Sequence, residues 1–247
     1  MFAGPNGSGK STLKSVLPSE LLGIYINPDE IQRQIEGGGS LTFVEYGVQA
    51  EAEPVLAFFR QSSFLQAVGL SGAAKELSFR DGQLIFPPGQ LNAYFASVAA
   101  DFLRQKLLEK KTSFTFETVM SSSDKVALLK KARAIGYRTY LYYIATDDPD
   151  INISRVRHRI LQGGHSVPED KIVSRYHRSL GLLLDAIRQT DRAYVFDNSG
   201  DRQDRTWIAE ISGGQVLEPK TDAIPAWFRR AVLDKLTGLR DEQNRPD

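Results

Sequence analysis

The chain has 247 residues, with 31 basic and 30 acidic side chains and a formal net charge of +1. Its 41% hydrophobic and 25% charged residues are typical of a folded globular protein and exclude a mostly disordered chain. The absence of cysteine excludes disulfides, thiol catalysis and zinc sites built on thiolates.

Charge and hydropathy also bear on location. The balanced charge argues against a nucleic-acid coat or a polybasic membrane binder. No apolar run approaches the roughly 18 residues that a membrane helix needs. The first ten residues are rich in glycine and carry no apolar signal-peptide core. We therefore expect a cytoplasmic protein.

Strand and helix patterns alternate along the first half of the chain. Only three residues precede Gly4, which predicts either a very short first strand or a true start upstream of Met1. The patterns then predict, in order, a helix over 9–16, a strand over 23–27, a helix opened by Pro28, a helix over 44–60, a hairpin over 77–86 with Asp-Gly at its turn, a helix over 91–111 and a strand over 113–116.

The alternation continues in the second half. Here the patterns predict helices over 122–135 and 150–161, a helix restarting at 168, strands over 138–145 and 193–196, a hairpin over 206–217 and a last helix over 225–236. Strands alternating with helices predict an α/β fold with a largely parallel sheet. We interpret the chain as one domain, 1–247, with an insertion at about 62–89 that could act as a flap and a C-terminal extension at about 201–247.

The strongest motif lies at the start of the chain. Gly4-Pro5-Asn6-Gly7-Ser8-Gly9-Lys10-Ser11 matches G-x-x-x-x-G-K-[ST] at every fixed position, and Thr12 follows it. Glycines let backbone N–H groups turn inward around phosphates, and the next helix directs its positive end at them. Lys10 would reach the β- and γ-phosphates and the Ser11 hydroxyl would bind Mg²⁺. The pattern predicts a nucleotide site, whereas the alternative is a flexible Gly/Ser terminus.

Two short motifs, Ser212-Gly213-Gly214-Gln215 and the weaker Leu70-Ser71-Gly72-Ala73, resemble the signature of another P-loop class. Residues 212–215 spell the Ser-Gly-Gly-Gln signature of ABC transport ATPases, but they lie near the C-terminus in a predicted hairpin turn. A GTPase should carry an N-K-x-D guanine motif, and the sequence contains none. Neither class is favoured.

Two carboxylates follow predicted strands. Asp29 comes just after the strand 23–27, and Glu117 ends the strand 113–116. Ligands gather at the carboxyl ends of strands in open α/β sheets, so Asp29 could accept a proton from a substrate hydroxyl. Glu117 could bind a substrate hydroxyl or a Mg²⁺-bound water. The alternatives are a helix-opening acid for Asp29 and a surface acid for Glu117.

A basic segment with a glycine break lies between Ile151 and Leu180. It holds six basic residues, two acids and all three histidines of the chain, with Gly163-Gly164 in the middle. A helix, a glycine hinge and a second arginine-rich helix are what a lid closing over phosphates needs. The alternative is a solvated helix face. A zinc site from the histidines is disfavoured because their spacing matches no ligand pair on one helix turn.

Four segments together resemble the zeta-toxin family of P-loop kinases, in the branch labelled predicted ABC-type ATPase or kinase. They are residues 4–12, Asn27-Pro28-Asp29, Phe116-Glu117-Thr118 and 163–168 (Gly-Gly-His-Ser-Val-Pro). The resemblance covers about residues 1–60 and 93–200. It implies a nucleotide-kinase-like P-loop NTPase fold, in which a mostly parallel sheet is flanked by helices.

The resemblance also implies roles for particular residues. Studied toxins of the family use ATP and Mg²⁺ to phosphorylate a sugar hydroxyl of UDP-N-acetylglucosamine. By resemblance, Lys10 is the phosphate lysine, Ser11 the Mg²⁺ ligand and Asp29 the catalytic base. Glu117 corresponds to the substrate-binding glutamate. Thr118 and His165 are further expected substrate contacts. The first lid arginine falls near Arg159, with Arg155 as the alternative, while His165 stands where studied toxins carry a second arginine.

Three hypotheses follow. The first is an ATP- and Mg²⁺-dependent kinase for a small-molecule hydroxyl, which could be a toxin with an antitoxin partner. The second is a nucleic-acid end kinase, which the near-neutral charge disfavours. The third is a nucleotide-binding regulatory ATPase without phosphotransfer.

Overall fold

A computed structural model describes residues 1–87, 93–164, 166–200 and 205–236. The chain divides into two compact units, one formed by Met1–Leu17 with Thr118–Asp247 and the other by Pro18–Glu117. Four features predicted from the sequence lie wholly or partly outside the described residues: His165, the end of the 62–89 insertion, the start of the helix 91–111 and parts of the extension 201–247.

The strands follow the predicted alternation. They are β1 (Phe2–Ala3), β2 (Ile24–Ile26), β3 (Ser40–Thr42), β4 (Ser78–Arg80), β5 (Gln83–Ile85), β6 (Phe114–Thr118), β7 (Tyr140–Ala145), β8 (Arg192–Asp197), β9 (Thr206–Ser212) and β10 (Val216–Pro219).

The α-helices lie between these strands along the chain, except α11, which follows β10. They are α1 (Ser19–Leu22), α2 (Pro28–Gly38), α3 (Ala52–Arg60), α4 (Ser63–Ala67), α5 (Ser71–Lys75), α6 (Ala93–Glu109), α7 (Asp124–Ala134), α8 (Pro149–Leu161), α9 (Glu169–Gly181), α10 (Leu183–Arg188) and α11 (Ala226–Phe228). Short 3-10 helices cover Lys10–Val16 and Val44–Tyr46, and α11 continues as a π-helical turn over Arg229–Leu233.

The first unit is built on strands in the order β10-β9-β8-β7-β1. β1, β7 and β8 pair in parallel, whereas β9 and β10 are antiparallel additions. The turn between β9 and β10 contains Gly213 and Gly214, both at positive φ, so the predicted hairpin is confirmed and the Ser-Gly-Gly-Gln sequence is part of a turn. Parallel strands end at the same edge of a sheet, so β1, β7 and β8 all deliver their following loops there.

The core of the first unit is apolar with a few hydrogen-bonded polar groups. Phe2, Tyr143 and Trp227 are fully buried. The hydroxyl of Tyr143 lies 2.9 Å from that of Ser179 on α9, so the buried phenol has a partner. The ring of Trp227 lies against that of Tyr143, with 6.1 Å between centroids.

The second unit contains the parallel pair β2 and β6 and a three-stranded antiparallel sheet in the order β3-β5-β4. Its core is aromatic, since Phe43, Phe59 and Phe95 are all buried. β4 and β5 form the predicted hairpin, with Asp81 at φ 51° and Gly82 at φ 76° in its turn. Two consecutive positive φ values are those of a type I′ turn, which suits the twist of a hairpin.

Three predicted elements differ from the structure. The helix expected over 9–16 is a 3-10 helix, which begins after Gly9 in the left-handed conformation and has no side-chain cap. The helix expected over 44–60 is broken, because Gly47 at φ 66° ends the first turn and α3 begins only at Ala52. A third strand, β3, pairs with the hairpin of the insertion. The sequence pattern did not predict it, because residues 40–42 and 83–85 are far apart in the chain.

The α/β class with mostly parallel pairing is confirmed. Among the described helices, none combines the length and apolar character that crossing a lipid bilayer requires.

Candidate active site

The phosphate loop follows β1 and is shaped by its glycines. Gly4, Gly7 and Gly9 have φ values of 147°, 73° and 99°, a region that favours glycine. At Gly4 a Cβ atom would lie only 2.0 Å from the carbonyl oxygen of Ile144, so no side chain fits there. The loop is therefore packed directly against the end of β7.

The two motif residues with reactive side chains lie at the end of this loop. The Lys10 ammonium donates a hydrogen bond to the carbonyl of Pro5 at 2.8 Å, so its side chain reaches back across the loop. Ser11 is exposed on the first turn of the 3-10 helix. The neighbouring Thr12 hydroxyl donates to the carbonyl of Gly9 at 2.7 Å and closes that turn.

Two asparagines support the loop from outside. Asn152 on α8 is fully buried, and its side-chain amide donates to the carbonyl of Asn6 and contacts the Thr146 hydroxyl. Asn198, the residue after β8, donates to the carbonyl of Ser8 at 2.8 Å. Both asparagines pack closely against glycines of the loop. A Cβ atom on Gly7 would lie 2.6 Å from the backbone carbonyl oxygen of Asn152. A Cβ atom on Gly9 would lie 2.6 Å from the side-chain amide nitrogen of Asn198.

Two arginines contact the same region. Arg155 on α8 donates to the carbonyls of Asn198 and Gly200, at 2.7 and 2.8 Å. Arg205 donates to both the carbonyl and the hydroxyl of Thr12, at 2.9 Å each. The guanidinium of Arg155, one of the two arginines proposed for the lid, thus holds the loop that follows β8.

The glycine break of the expected lid is present. Gly163 has φ 83° and ends α8, and the N–H of Gly164 donates to the carbonyl of Arg159 at 2.9 Å. A Cβ atom on Gly164 would lie 2.5 Å from the Arg159 side chain, so the stem of this arginine packs on the glycine. His165 lies outside the described residues.

Behind the loop after β8 lies a buried tryptophan. The indole N–H of Trp227 donates to Asp197 at 2.7 Å, and the backbone N–H of Ser199 donates to the same carboxylate at 3.1 Å. The C-terminal helix α11 therefore fixes the end of β8, from which Asn198 reaches the phosphate loop.

The groups of the loop fit an oxyanion. The Ser8 hydroxyl is buried and has no hydrogen-bond partner among the described residues. Buried polar atoms without partners are rare. A phosphate oxygen would supply the acceptor that the Ser8 hydroxyl lacks. The residues present therefore fit the phosphates of a nucleotide, with Ser11 as the group that would hold Mg²⁺.

In the second unit, Asp29 is placed by a helix cap. Asn27 follows β2 and is largely buried, and its side chain accepts a hydrogen bond from the N–H of Asp29 at 2.9 Å. Pro28 is the first residue of α2, where its missing N–H has no cost. The carboxylate of Asp29 is exposed in the first turn of the helix, which leaves it accessible to a substrate.

Glu117 lies on β6 and is only 7% exposed. The hydroxyl of Tyr25 on β2 donates a hydrogen bond to one of its oxygens. Burial raises the pKa of Tyr25, and the hydrogen bond to Glu117 and the charges of Glu117 and Glu30 raise it further. The phenol therefore keeps its proton.

Thr118 is the next residue and belongs to the first unit. Its carbonyl accepts a hydrogen bond from the N–H of Gly4 at 3.3 Å, at the start of the phosphate loop. Its hydroxyl accepts from the N–H of Met120 at 2.9 Å, so this side chain also shapes the turn after β6.

The sequence pattern predicted the phosphate loop and singled out Asp29 and Glu117, but it did not predict the residues that contact them. Asn198 follows the carboxyl end of β8, so the rule that singled out Asp29 would have singled it out too. Tyr25 lies on a predicted strand beside Asp29. Asn152 and Trp227 gave no signal of such a role, because only tertiary packing brings them to the loop and to β8.

The comparisons with known proteins agree with this fold. The family model described as Zeta toxin matches residues 90–207. A protein of Haemophilus influenzae named only as uncharacterized is 25% identical over 175 residues, which cover 71% of this chain and 89% of the relative.

Solved structures are similar at lower identity. The structure titled AvrRxo1-ORF1:-ORF2 with ATP has a TM-score of 0.51 at 14% identity, and the one titled with sulphate ions has 0.52 at 13%; they cover 89% and 90% of this chain. The chain spans 60% of the length of each of these proteins. The PezAT toxin-antitoxin structure of Streptococcus pneumoniae has a TM-score of 0.46 at 15% identity, covering 99% of this chain and 88% of that one. The zeta-toxin family model thus matches the middle part of the chain, and the two AvrRxo1 structures share its overall fold.

Proposed function

We propose that the protein is an ATP- and Mg²⁺-dependent kinase that phosphorylates a hydroxyl of a small molecule. The observation that carries the proposal is the phosphate loop, in which three glycines adopt positive φ and Lys10 reaches across the loop. The match of residues 90–207 to the zeta-toxin family model supports the same reaction class.

On the donor side, the loop over Gly4–Thr12 would bind the phosphates of ATP. Lys10 would exchange its hydrogen bond to Pro5 for one to a phosphate oxygen. The Ser11 hydroxyl would ligate Mg²⁺, which, when bound, neutralises charge on the phosphates. We assign the role of the phosphate-closing arginine to Arg159, because Arg155 is committed to the carbonyls of Asn198 and Gly200.

On the acceptor side, Asp29 would take the proton of the attacking hydroxyl, and Glu117 would hold the substrate. The exposed carboxylate of Asp29 at the start of α2 suits a general base, since a base must reach the proton that it removes. Thr118 and His165 are further proposed substrate contacts. By resemblance to the family, the acceptor would be a sugar nucleotide similar to UDP-N-acetylglucosamine.

The family also suggests a partner and a location. We propose that an antitoxin protein binds the chain and blocks its nucleotide site, and that both act in the cytoplasm. The proposal includes neither a membrane nor a nucleic acid as partner.

The test compares Asp29→Asn with Glu36→Gln, a control acid on the same helix. Transfer of labelled γ-phosphate to UDP-N-acetylglucosamine is measured together with ATP affinity. General-base loss should lower transfer by about 10²–10⁴-fold in Asp29→Asn, with ATP affinity unchanged and the control near wild type. Wild-type transfer in Asp29→Asn would contradict the role of Asp29, and a wild type that binds ATP without transfer to this probe would contradict the sugar-nucleotide assignment.

A further inference from the structure

Tyr25 and Glu117 face each other across two parallel strands. Tyr25 on β2 is opposite Thr115 on β6, and Glu117 is two residues further along β6. Residues two apart on a strand project from the same face, and a diagonal neighbour at this spacing is within reach of a long aromatic side chain. The register of the two strands therefore brings the phenol to the carboxylate.

The hydrogen bond from Tyr25 lowers the cost of burying the Glu117 carboxylate. A carboxylate that is only 7% exposed is costly unless it is hydrogen-bonded or paired. Tyr25 supplies a donor at one of its oxygens. Glu30 on α2 and the Asn27 side chain at the end of β2 also act on the phenol. Burial and the two nearby carboxylates raise the pKa of Tyr25, so the phenol keeps its proton and acts as the donor.

We propose that Tyr25 is a positioning residue for Glu117, holding one carboxylate oxygen so that the other is presented to a donor group of the acceptor substrate. This inference rests on the proposed kinase function. It also narrows the substrate class: because the carboxylates of Glu117 and Glu30 both act at this position, the group bound at Glu117 is a hydrogen-bond donor, a hydroxyl or N–H, and not a phosphate.

The hydrogen bond is tested first without any substrate. A phenol that donates to a buried carboxylate should give a downfield, slowly exchanging hydroxyl signal in the proton NMR spectrum. The signal should be lost in Tyr25→Phe, shift in Glu117→Gln and persist in Tyr46→Phe. Tyr46 is a matched control, since it is a half-buried tyrosine of the same unit whose hydroxyl lies 3.5 Å from Gln34. A spectrum in which Tyr25→Phe removes no such signal would overturn the inference.

The functional arm is a double-mutant cycle on phosphotransfer. Tyr25→Phe should raise the KM of the acceptor about tenfold, with the KM of ATP unchanged and kcat within about threefold. The double variant Tyr25→Phe/Glu117→Gln should be no worse than Glu117→Gln alone, because Tyr25 acts through Glu117. A purely structural role would instead lower stability and give additive losses.

The two possible failures are distinguishable. A wild type that transfers no phosphate to any acceptor overturns the proposed function. An active wild type whose Tyr25→Phe variant keeps the acceptor KM overturns the role of Tyr25. Thermal unfolding of both tyrosine variants shows whether they are folded, and the NMR signal is read in the same samples.

Discussion

Lys10 is the residue of the phosphate loop that we propose to contact the β- and γ-phosphates. Its ammonium donates a hydrogen bond to the carbonyl of Pro5, within the loop itself. Such a bond can be exchanged for one to a phosphate oxygen without disturbing the core. The proposed role of Lys10 in binding phosphate therefore requires only that this bond within the loop be exchanged.

Replacing Lys10 by alanine should lower kcat/KM for phosphotransfer by about 10²–10³-fold, the usual loss when one preorganised electrostatic donor is removed. The stability of this variant should stay within about 0.5 kcal/mol of wild type. Lys14→Ala, four residues further along the same 3-10 helix, is the control and should keep its activity. Equal losses in both variants would show that general charge, not the position of Lys10, matters.

Asp191 is a second instructive residue, at the start of β8. It accepts hydrogen bonds from the N–H and hydroxyl of Thr139, at 2.7 and 2.9 Å, and lies 3.7 Å from Arg133. Burial alone would raise the pKa of Asp191, but these bonds, with the charges of Arg133 and Arg138, lower it below its ordinary value of 3.8. The ionised form therefore stabilises the fold.

Because the pKa of Asp191 is lowered, its contribution to the free energy of unfolding depends on pH. Wild type should be more stable than Asp191→Asn at pH 7, by less than about 1 kcal/mol because the pair is partly solvent-exposed. The difference should disappear as the pH falls below 3.8 through the lowered pKa of the folded state. Urea unfolding of both proteins between pH 7 and pH 3 measures it, and a difference that is constant with pH would refute the role of the charge.

At the scale of elements, the phosphate loop depends on α8. The backbone carbonyl of Asn152 lies where a Cβ atom on Gly7 would have to go. The loop and the helix can pack this closely only because residue 7 has no side chain. The positive φ of residue 7 and its close contact with Asn152 therefore both require glycine at this position.

A matched pair of variants separates these two requirements. Gly69 has φ 76°, close to the 73° of Gly7, but a Cβ atom at Gly69 would have no described heavy atom of a distant residue within 4 Å. Gly69→Ala should cost about 1–2 kcal/mol from the left-handed conformation alone, and Gly7→Ala about 1–3 kcal/mol more from overpacking. Urea unfolding measures both. Equal costs would mean that α8 yields to the methyl group.

The C-terminal helix α11 supports the nucleotide site through β8. Trp227→Phe removes the donor to Asp197 and should cost about 1.5–3 kcal/mol, the range for hydrogen bonds to charged groups. It should also weaken the binding of an ATP analogue, because Asp197 precedes Asn198, which holds Ser8. Phe228→Leu, at the next buried position, should lower stability without weakening binding. Equal affinities of wild type and Trp227→Phe would contradict the link.

At the scale of the whole molecule, the sequence predicted features whose chemistry is local. The phosphate loop was evident because phosphate binding fixes its residue types and spacing. The strands and the Asp81-Gly82 turn followed from local pattern and turn chemistry. By contrast, β3 and the supports Asn152 and Trp227 depend on pairing and packing between distant segments, which no local pattern encodes. The roles of Asp29, Glu117 and the lid arginines stay predictions.

The proposed function requires that the protein transfer a phosphoryl group from ATP to a hydroxyl. The most direct measurement incubates the wild type with labelled ATP and Mg²⁺ and a panel of nucleotide sugars, free sugars, nucleosides and oligonucleotide ends, with Asp29→Asn in parallel. We predict a labelled sugar-nucleotide product that is absent from the Asp29→Asn reaction. ATP binding with no labelled product in either protein would contradict the kinase and favour a regulatory nucleotide-binding module, and label on the oligonucleotides would favour an end kinase.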